Sequence, residues 1–178
     1  MKLKFLKYLL YTFLIFISVS CQIRDVSIDL LSQQEPDDFL TVAKVVDGDT
    51  FWADNGTEKG LKVRLIGIDA PEARRVFNKE VGYYGPEAKV YLTKLLANKK
   101  VRLVSDVDPL DQYGRTLSYV YLEDGTFVNA ELIKNGYAVL MTIPPNVAFA
   151  DHFAGLQREA RNSLPGLWKE RERVYSGD

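Results

Sequence analysis

From Phe39 onward the chain reads as short β-rich runs punctuated by turn signals. Residues 39–46 form the first run, and Asp47-Gly48 marks a hairpin turn after it. Residues 49–53 and 61–68 read as two further strands, with Asn55-Gly56 as the turn between them. Residues 100–105 and 115–122 complete a set of five, and Asp124-Gly125 closes the last. Helical spacing takes over in three places. In 86–97, Pro86 suits a first helical turn, and Ala88, Tyr91, Leu92, Leu95 and Leu96 share one face. In 127–135, Thr126 is the expected N-cap and Gly136 the expected stop. In 147–161, Asn146 is the expected cap, and Phe149, Phe153, Leu156 and Ala160 make one apolar stripe. Aromatic residues on these faces read as core. Five short strands with helices inserted and appended predict a small α+β, mainly β domain. A five-stranded OB-type barrel with three helices on its outside is the leading candidate.

The first 38 residues follow a different pattern. Lys2, Lys4 and Lys7 precede the apolar run 8–17, and small residues 18–20 lead to Cys21. The run is short for a membrane span, which needs about 20 residues, and reads as an export signal over 1–20. An ordinary signal peptide with an incidental cysteine is one reading. The other is a lipoprotein, because the stretch resembles a bacterial lipobox, with Ser18 in place of the usual Leu. In that reading Cys21 is lipidated and 22–38 is a tether reaching at most about 55 Å from a bilayer. The expected division is thus signal 1–20, lipidated Cys and tether 21–38, barrel domain 39–169 and tail 170–178. The protein is expected to be exported, either membrane-anchored through Cys21 or secreted.

Composition narrows the chemistry. With 178 residues, 47% of them hydrophobic and 26% charged, the chain is globular and of one-domain size. A single Cys excludes an intrachain disulfide framework, and a single His, His152, excludes a zinc site built from His and Cys. A nucleophilic triad is equally unsupported. Of the 23 basic residues, Lys2, Lys4 and Lys7 belong to the leader, leaving 20 against 24 acidic ones. Such a domain lacks the basic excess usual in nucleic-acid binders, so any phosphate binding must come from a local patch.

Three segments carry candidate chemistry: Val46-Asp47-Gly48-Asp49-Thr50, Val63-Arg64-Leu65-Ile66-Gly67-Ile68-Asp69-Ala70-Pro71-Glu72 and Asp111-Gln112-Tyr113-Gly114-Arg115. Singly, each is explained as a turn or a strand end. Together they supply the hard carboxylates of Asp49, Asp69 and Glu72, suited to Ca²⁺ or Mg²⁺ and expected to converge on one ion. Arg64 and Arg115 add two planar forks suited to phosphate oxygens. Phosphodiester hydrolysis needs such a set: cations to neutralise the transition state and a carboxylate to take a proton from water.

These segments resemble the staphylococcal nuclease family from about Leu40 to Trp168. Its motifs occur in order: Val46–Thr50, Arg64–Glu72, Tyr84-Gly85-Pro86-Glu87-Ala88, Asp111–Arg115, Asn135-Gly136-Tyr137-Ala138 and Gly166-Leu167-Trp168. The resemblance implies an OB barrel and a Ca²⁺-dependent nuclease acting on DNA and RNA to leave 3′-phosphate ends. By position, it makes Asp49, Asp69 and the Ala70 carbonyl ligands of Ca²⁺. Glu72 becomes the general base or the orienter of the attacking water, Arg64 and Arg115 the phosphate clamp, and Tyr113 a hydrogen-bond donor to a neighbouring phosphate. No protein partner is expected, and the chain reads as a monomer. Gln112 replaces a Lys of the family pattern, and the stretch 140–145 lacks its Tyr pair. Both departures, with the acidic net charge, predict weaker and more salt-sensitive substrate binding. The alternative is a barrel that binds nucleic acid without cutting it.

Overall fold

The computed structural model describes residues 39–75, 80–163 and 165–169. The expected leader, Cys21, tether and tail all lie outside the described residues. Each of the five β-rich runs forms a strand: β1 (Phe39–Asp47), β2 (Thr50–Asp54), β3 (Leu61–Leu65), β5 (Lys100–Val104) and β6 (Thr116–Leu122). They close into a barrel in the order β1-β2-β3-β6-β5. All neighbours are antiparallel except β3 and β6, which run parallel with Arg64 opposite Leu117. β1 is long enough to pair with β2 at one end and β5 at the other. Register shifts between Val42 and Lys44 and between Val45 and Asp47 bend it to serve both.

The expected strand 61–68 is interrupted. Gly67 takes φ 77°, and the chain turns at Ile66-Gly67 before resuming as β4 (Ile68–Asp69). A residue without Cβ adopts that angle at little cost, which the strand pattern alone did not reveal. β4 leaves the barrel and pairs with β7 (Val139–Leu140), a short strand absent from the sequence reading.

Among the described residues three helices form: α1 (Gly85–Leu96), α2 (Val128–Lys134) and α3 (Ala150–Ser163), followed by a 3₁₀ turn at Gly166–Trp168. α1 starts with Pro86 in its first turn and buries Ala88, Leu92 and Leu96. α3 buries Phe153 and Ala160 of the expected stripe, with Phe149 and Leu156 half-buried beside them. Two caps differ from expectation. The residue capping α2 is Phe127, without a side-chain bond, because Thr126 lies in the preceding turn, its N–H donating to Asp124 (2.9 Å). The Asn146 side chain is committed elsewhere, clasping both the N–H and the carbonyl of Asp108 at 2.8 and 2.9 Å.

Phe51, Leu65, Leu92, Tyr119, Leu132 and Phe153 are among the fully buried side chains that fill the barrel and seat the helices. Each such apolar side chain contributes roughly 1.5–3 kcal/mol over exposure. One polar bracket runs through this core. Asn129 of α2 accepts from Val120 N–H (2.9 Å) and donates to the carbonyl of Ile66 (2.9 Å), tying the helix to β6 and to the β3–β4 turn. That turn carries Arg64 on one side and Asp69 on the other.

Candidate active site

The β1–β2 hairpin leaves two residues, Gly48 and Asp49, between the paired Asp47 and Thr50. The Asp49 carbonyl accepts the Leu65 N–H (3.0 Å), lacing the hairpin to the end of β3. Its side chain is buried. Oδ1 accepts the Thr50 hydroxyl and Oδ2 the Ala70 N–H, both at 2.9 Å. A buried carboxylate is costly unless paired, and Arg64 pairs it. The guanidinium meets Asp49 through Nη1, while Nη2 donates to Asp69 at 2.7 Å and to the Ile68 carbonyl at 3.3 Å. Burial pulls the Arg64 pKa below its ordinary value, opposed by the hydrogen bond and charge of Asp69, and the positive charge of Arg115 pulls the same way as burial. The side chain stays cationic.

Glu72 follows on the loop beyond β4. That loop is pinned on two sides: Asp47 Oδ1 accepts the Ala73 N–H (3.1 Å), and the Glu72 carbonyl accepts the Gly82 N–H (2.9 Å). Among the described residues, no three Asp, Glu, His or Cys side chains gather closely enough to hold an ion. The expected convergence of three acids is therefore reduced to two. Asp49 and Asp69 meet on Arg64, and Glu72 stands on the neighbouring loop.

Arg115 precedes β6. Asp111 organises its turn by accepting the N–H groups of Tyr113 and Arg115, each at 2.9 Å, and holds the guanidinium through Nε at 2.5 Å. Burial raises the Asp111 pKa, but the hydrogen bonds from Arg115 and Tyr113 outweigh it and keep the carboxyl below its usual range. Nε is engaged by Asp111, and the Arg115 Cζ lies 5.5 Å from the ring centroid of the exposed Tyr113. Arg64, Gln112, Tyr113 and Arg115 line one cleft of about 470 Å³, walled on its apolar side by Leu110, Met141 and Ile143.

The sequence-predicted residues thus fall into two adjoining groups. Asp49, Arg64, Asp69 and the Ala70 backbone are bonded to one another, and Arg64 also reaches the cleft of Arg115 and Tyr113. His152, read as a helix residue, lies exposed on α3 beside Phe127. Sequence reasoning gave no role to Asp47 or Asp111, which position the Glu72 loop and Arg115. The signal was present in each case, as an Asp beside a turn in one of the candidate segments.

The oxygen set fits a hydrated hard cation. Asp49 and Asp69 already direct carboxylate oxygens onto one positive group, and the Asp69 side chain is 50% exposed, leaving room for water ligands. The acceptors gathered on Arg64 are all oxygens, the donor type that hard cations take.

Comparison with known proteins gives a concordant picture. The family model for staphylococcal nuclease homologues matches residues 62–170. Asp49 lies ahead of that stretch. The chain is 40% identical over 128 residues to a thermonuclease of Staphylococcus intermedius, covering 72% of this chain and 74% of that protein. It is 38% identical over 128 residues to a thermonuclease of Staphylococcus hyicus, covering 71% and 73%. It is 33% identical over 133 residues to the endonuclease YncB of Bacillus subtilis, covering 74% and 62%.

Proposed function

This chain belongs to the staphylococcal nuclease family and is a nuclease, and from that premise we propose that it hydrolyses phosphodiester bonds of both DNA and RNA in a Ca²⁺-dependent reaction that leaves 3′-phosphate ends. The observation that carries the reading is the position of Arg64, which joins Asp49 and Asp69 and lines the same cleft as Arg115.

In this proposal Asp49, Asp69 and the Ala70 carbonyl would hold Ca²⁺, which would supply positive charge against the phosphate under attack. Arg115, braced by Asp111, offers its Nη edge to the equatorial oxygens, whose charge grows in the transition state. Arg64 exchanges part of its carboxylate contact for a second oxygen of the same phosphate, which makes the clamp two-sided. Glu72 takes the proton from the attacking water or orients it. Water attacks phosphorus, the P–O5′ bond breaks, and the departing 5′ oxygen takes up a proton from solvent water, while the proton lost by the attacking water passes through Glu72 to solvent. Tyr113 hydrogen-bonds a neighbouring phosphate.

The test is degradation of plasmid DNA and of RNA with Ca²⁺ and with a chelator, followed by end-group analysis. Loss of both activities in chelator and 3′-phosphate products are expected. Undiminished cutting in chelator would remove the cation's role, and binding without cutting in Ca²⁺ would leave a non-catalytic module.

A further inference from the structure

Away from the cleft, four tyrosine rings follow one another across the start of α1 and the segment before β7. Tyr83 lies 5.9 Å from Tyr84, and Tyr84 stacks on Tyr137 with centroids 5.5 Å apart and planes at 27°. Tyr137 stacks in turn on Tyr91 at 4.0 Å and 16°. Tyr84, Tyr91 and Tyr137 line a groove of about 400 Å³ with Val90, Lys94 and Glu87. Tyr83 and Val90 are half exposed, at 50% and 51%, so the patch faces solvent. Tyr84 holds a left-handed backbone, φ 65°, which a non-glycine residue seldom adopts. Tyr91 and Tyr137 pack half-buried against the core, whose α1 members are Ala88, Leu92 and Leu96.

The groove adjoins the candidate active site. Gly85, next to Tyr84, packs so tightly on the Glu72 loop that a Cβ there would come within 2.2 Å of the Glu72 carbonyl oxygen. The same loop is bonded to the turn before α1 through Gly82. A strand whose scissile phosphate sits at Arg64 and Arg115 can therefore continue past Glu72 onto the rings. We propose that this tyrosine groove is a second nucleotide-binding stretch, holding by stacking the bases of single-stranded DNA or RNA that lead away from the cleaved bond. The proposal rests on the nuclease reading above. Stacking, not charge, supplies the contact, because Lys94 and Glu87 offset one another in the lining. Every base has a π-face, so the groove takes any sequence, and it takes single strands because a duplex keeps its bases stacked inside.

The experiment compares kcat/KM of the full chain on a dinucleotide-length substrate and on a ten-nucleotide single strand. Tyr84→Gly removes a ring while keeping a residue suited to the left-handed backbone, Tyr83→Ser removes an exposed ring, and Tyr84→Phe keeps the stacking face. Tyr84→Gly and Tyr83→Ser are expected to lower kcat/KM on the long strand about tenfold, through KM, and to leave the short substrate unchanged. Tyr84→Phe is expected to match the parent. Equal losses on both substrates, or none on either, overturn the groove. If the parent cuts neither substrate, the nuclease reading fails by itself. Fluorescence anisotropy of a labelled ten-nucleotide strand then decides the groove. Weaker binding to Tyr84→Gly than to the parent supports it, and equal binding overturns it.

Discussion

Arg115 and Glu72 have different geometric situations and should fail differently. Arg115 is braced through Nε and lines the cleft, and the proposed contact of its remaining donors with phosphate would tighten as charge develops there. Arg115→Ala is expected to lower kcat on the order of 10²–10³-fold with KM changed only a few-fold. Glu72→Gln keeps size and backbone contacts but cannot accept a proton. It is expected to lower the rate about 10²-fold or more while oligonucleotide binding stays near that of the parent. Steady-state kinetics with a binding measurement separate the two. A loss of binding without loss of turnover in either variant contradicts the role given to that residue. Lysine at position 115 would not substitute, since a point charge cannot serve Asp111 and phosphate along two edges.

At the scale of elements, the barrel strands and all three helices were legible because their apolar positions carry the period of the structure they form. The tyrosines at 84, 91 and 137 were not legible as a group, because their stacking is made by tertiary contact between α1 and the segment before β7. The split at Gly67 was hidden for a related reason: Ile66 and Ile68 continue the apolar run through the turn. The mis-assigned caps show side chains recruited by other loops. Asn146 clasps Asp108, and nearby Asp106 accepts the Tyr119 hydroxyl (2.9 Å) and the Ala148 N–H (3.1 Å), so two connections lining or backing the cleft are stapled together. Burial raises the Asp106 pKa, but the hydrogen bonds from Ala148, Tyr119 and Val107 outweigh it and hold the carboxyl below its ordinary 3.8. Its partner Tyr119 is pushed well above the ordinary tyrosine range by burial and by that carboxylate. A lowered folded-state pKa means that the unfolded chain takes up the proton first as acid is added. The stabilisation is complete above 3.8 and is lost as pH falls through the lower folded value. Urea unfolding midpoints should therefore be level from about pH 7 to about pH 5 with respect to this group and fall below 3.8. Asp106→Asn should lower the neutral-pH midpoint and flatten the acid slope. An acid slope identical to that of the parent would contradict the staple.

For the molecule as a whole, net charge is a poor guide to how it meets its substrate. Twenty basic against 24 acidic residues beyond the leader suggested salt-sensitive binding, but salt dependence follows the number of phosphates contacted by cations. Arg64 and Arg115 are the cations lining the cleft, and Gln112 adds none. Single-strand binding should then weaken with salt at a shallow logarithmic slope of about −1.5, read by anisotropy titrations at several KCl concentrations. A slope several times steeper would mean that a basic surface outside this cleft dominates. The fold was thus readable from motif order, whereas the grouping of the candidate residues was not. Two acids meet on an arginine, the third carboxylate stands on a neighbouring loop, and Asp47 and Asp111 hold the supporting turns. The most direct test of the account is the cleavage rate of a DNA oligonucleotide as a function of free Ca²⁺, for the full chain and for Asp49→Asn. The parent should show a saturable rise from a negligible rate in chelator. Asp49→Asn should need on the order of tenfold more Ca²⁺ or greater, because one negative charge has left the ligand set. Identical curves for the two proteins, or a rate that ignores Ca²⁺ altogether, would contradict it.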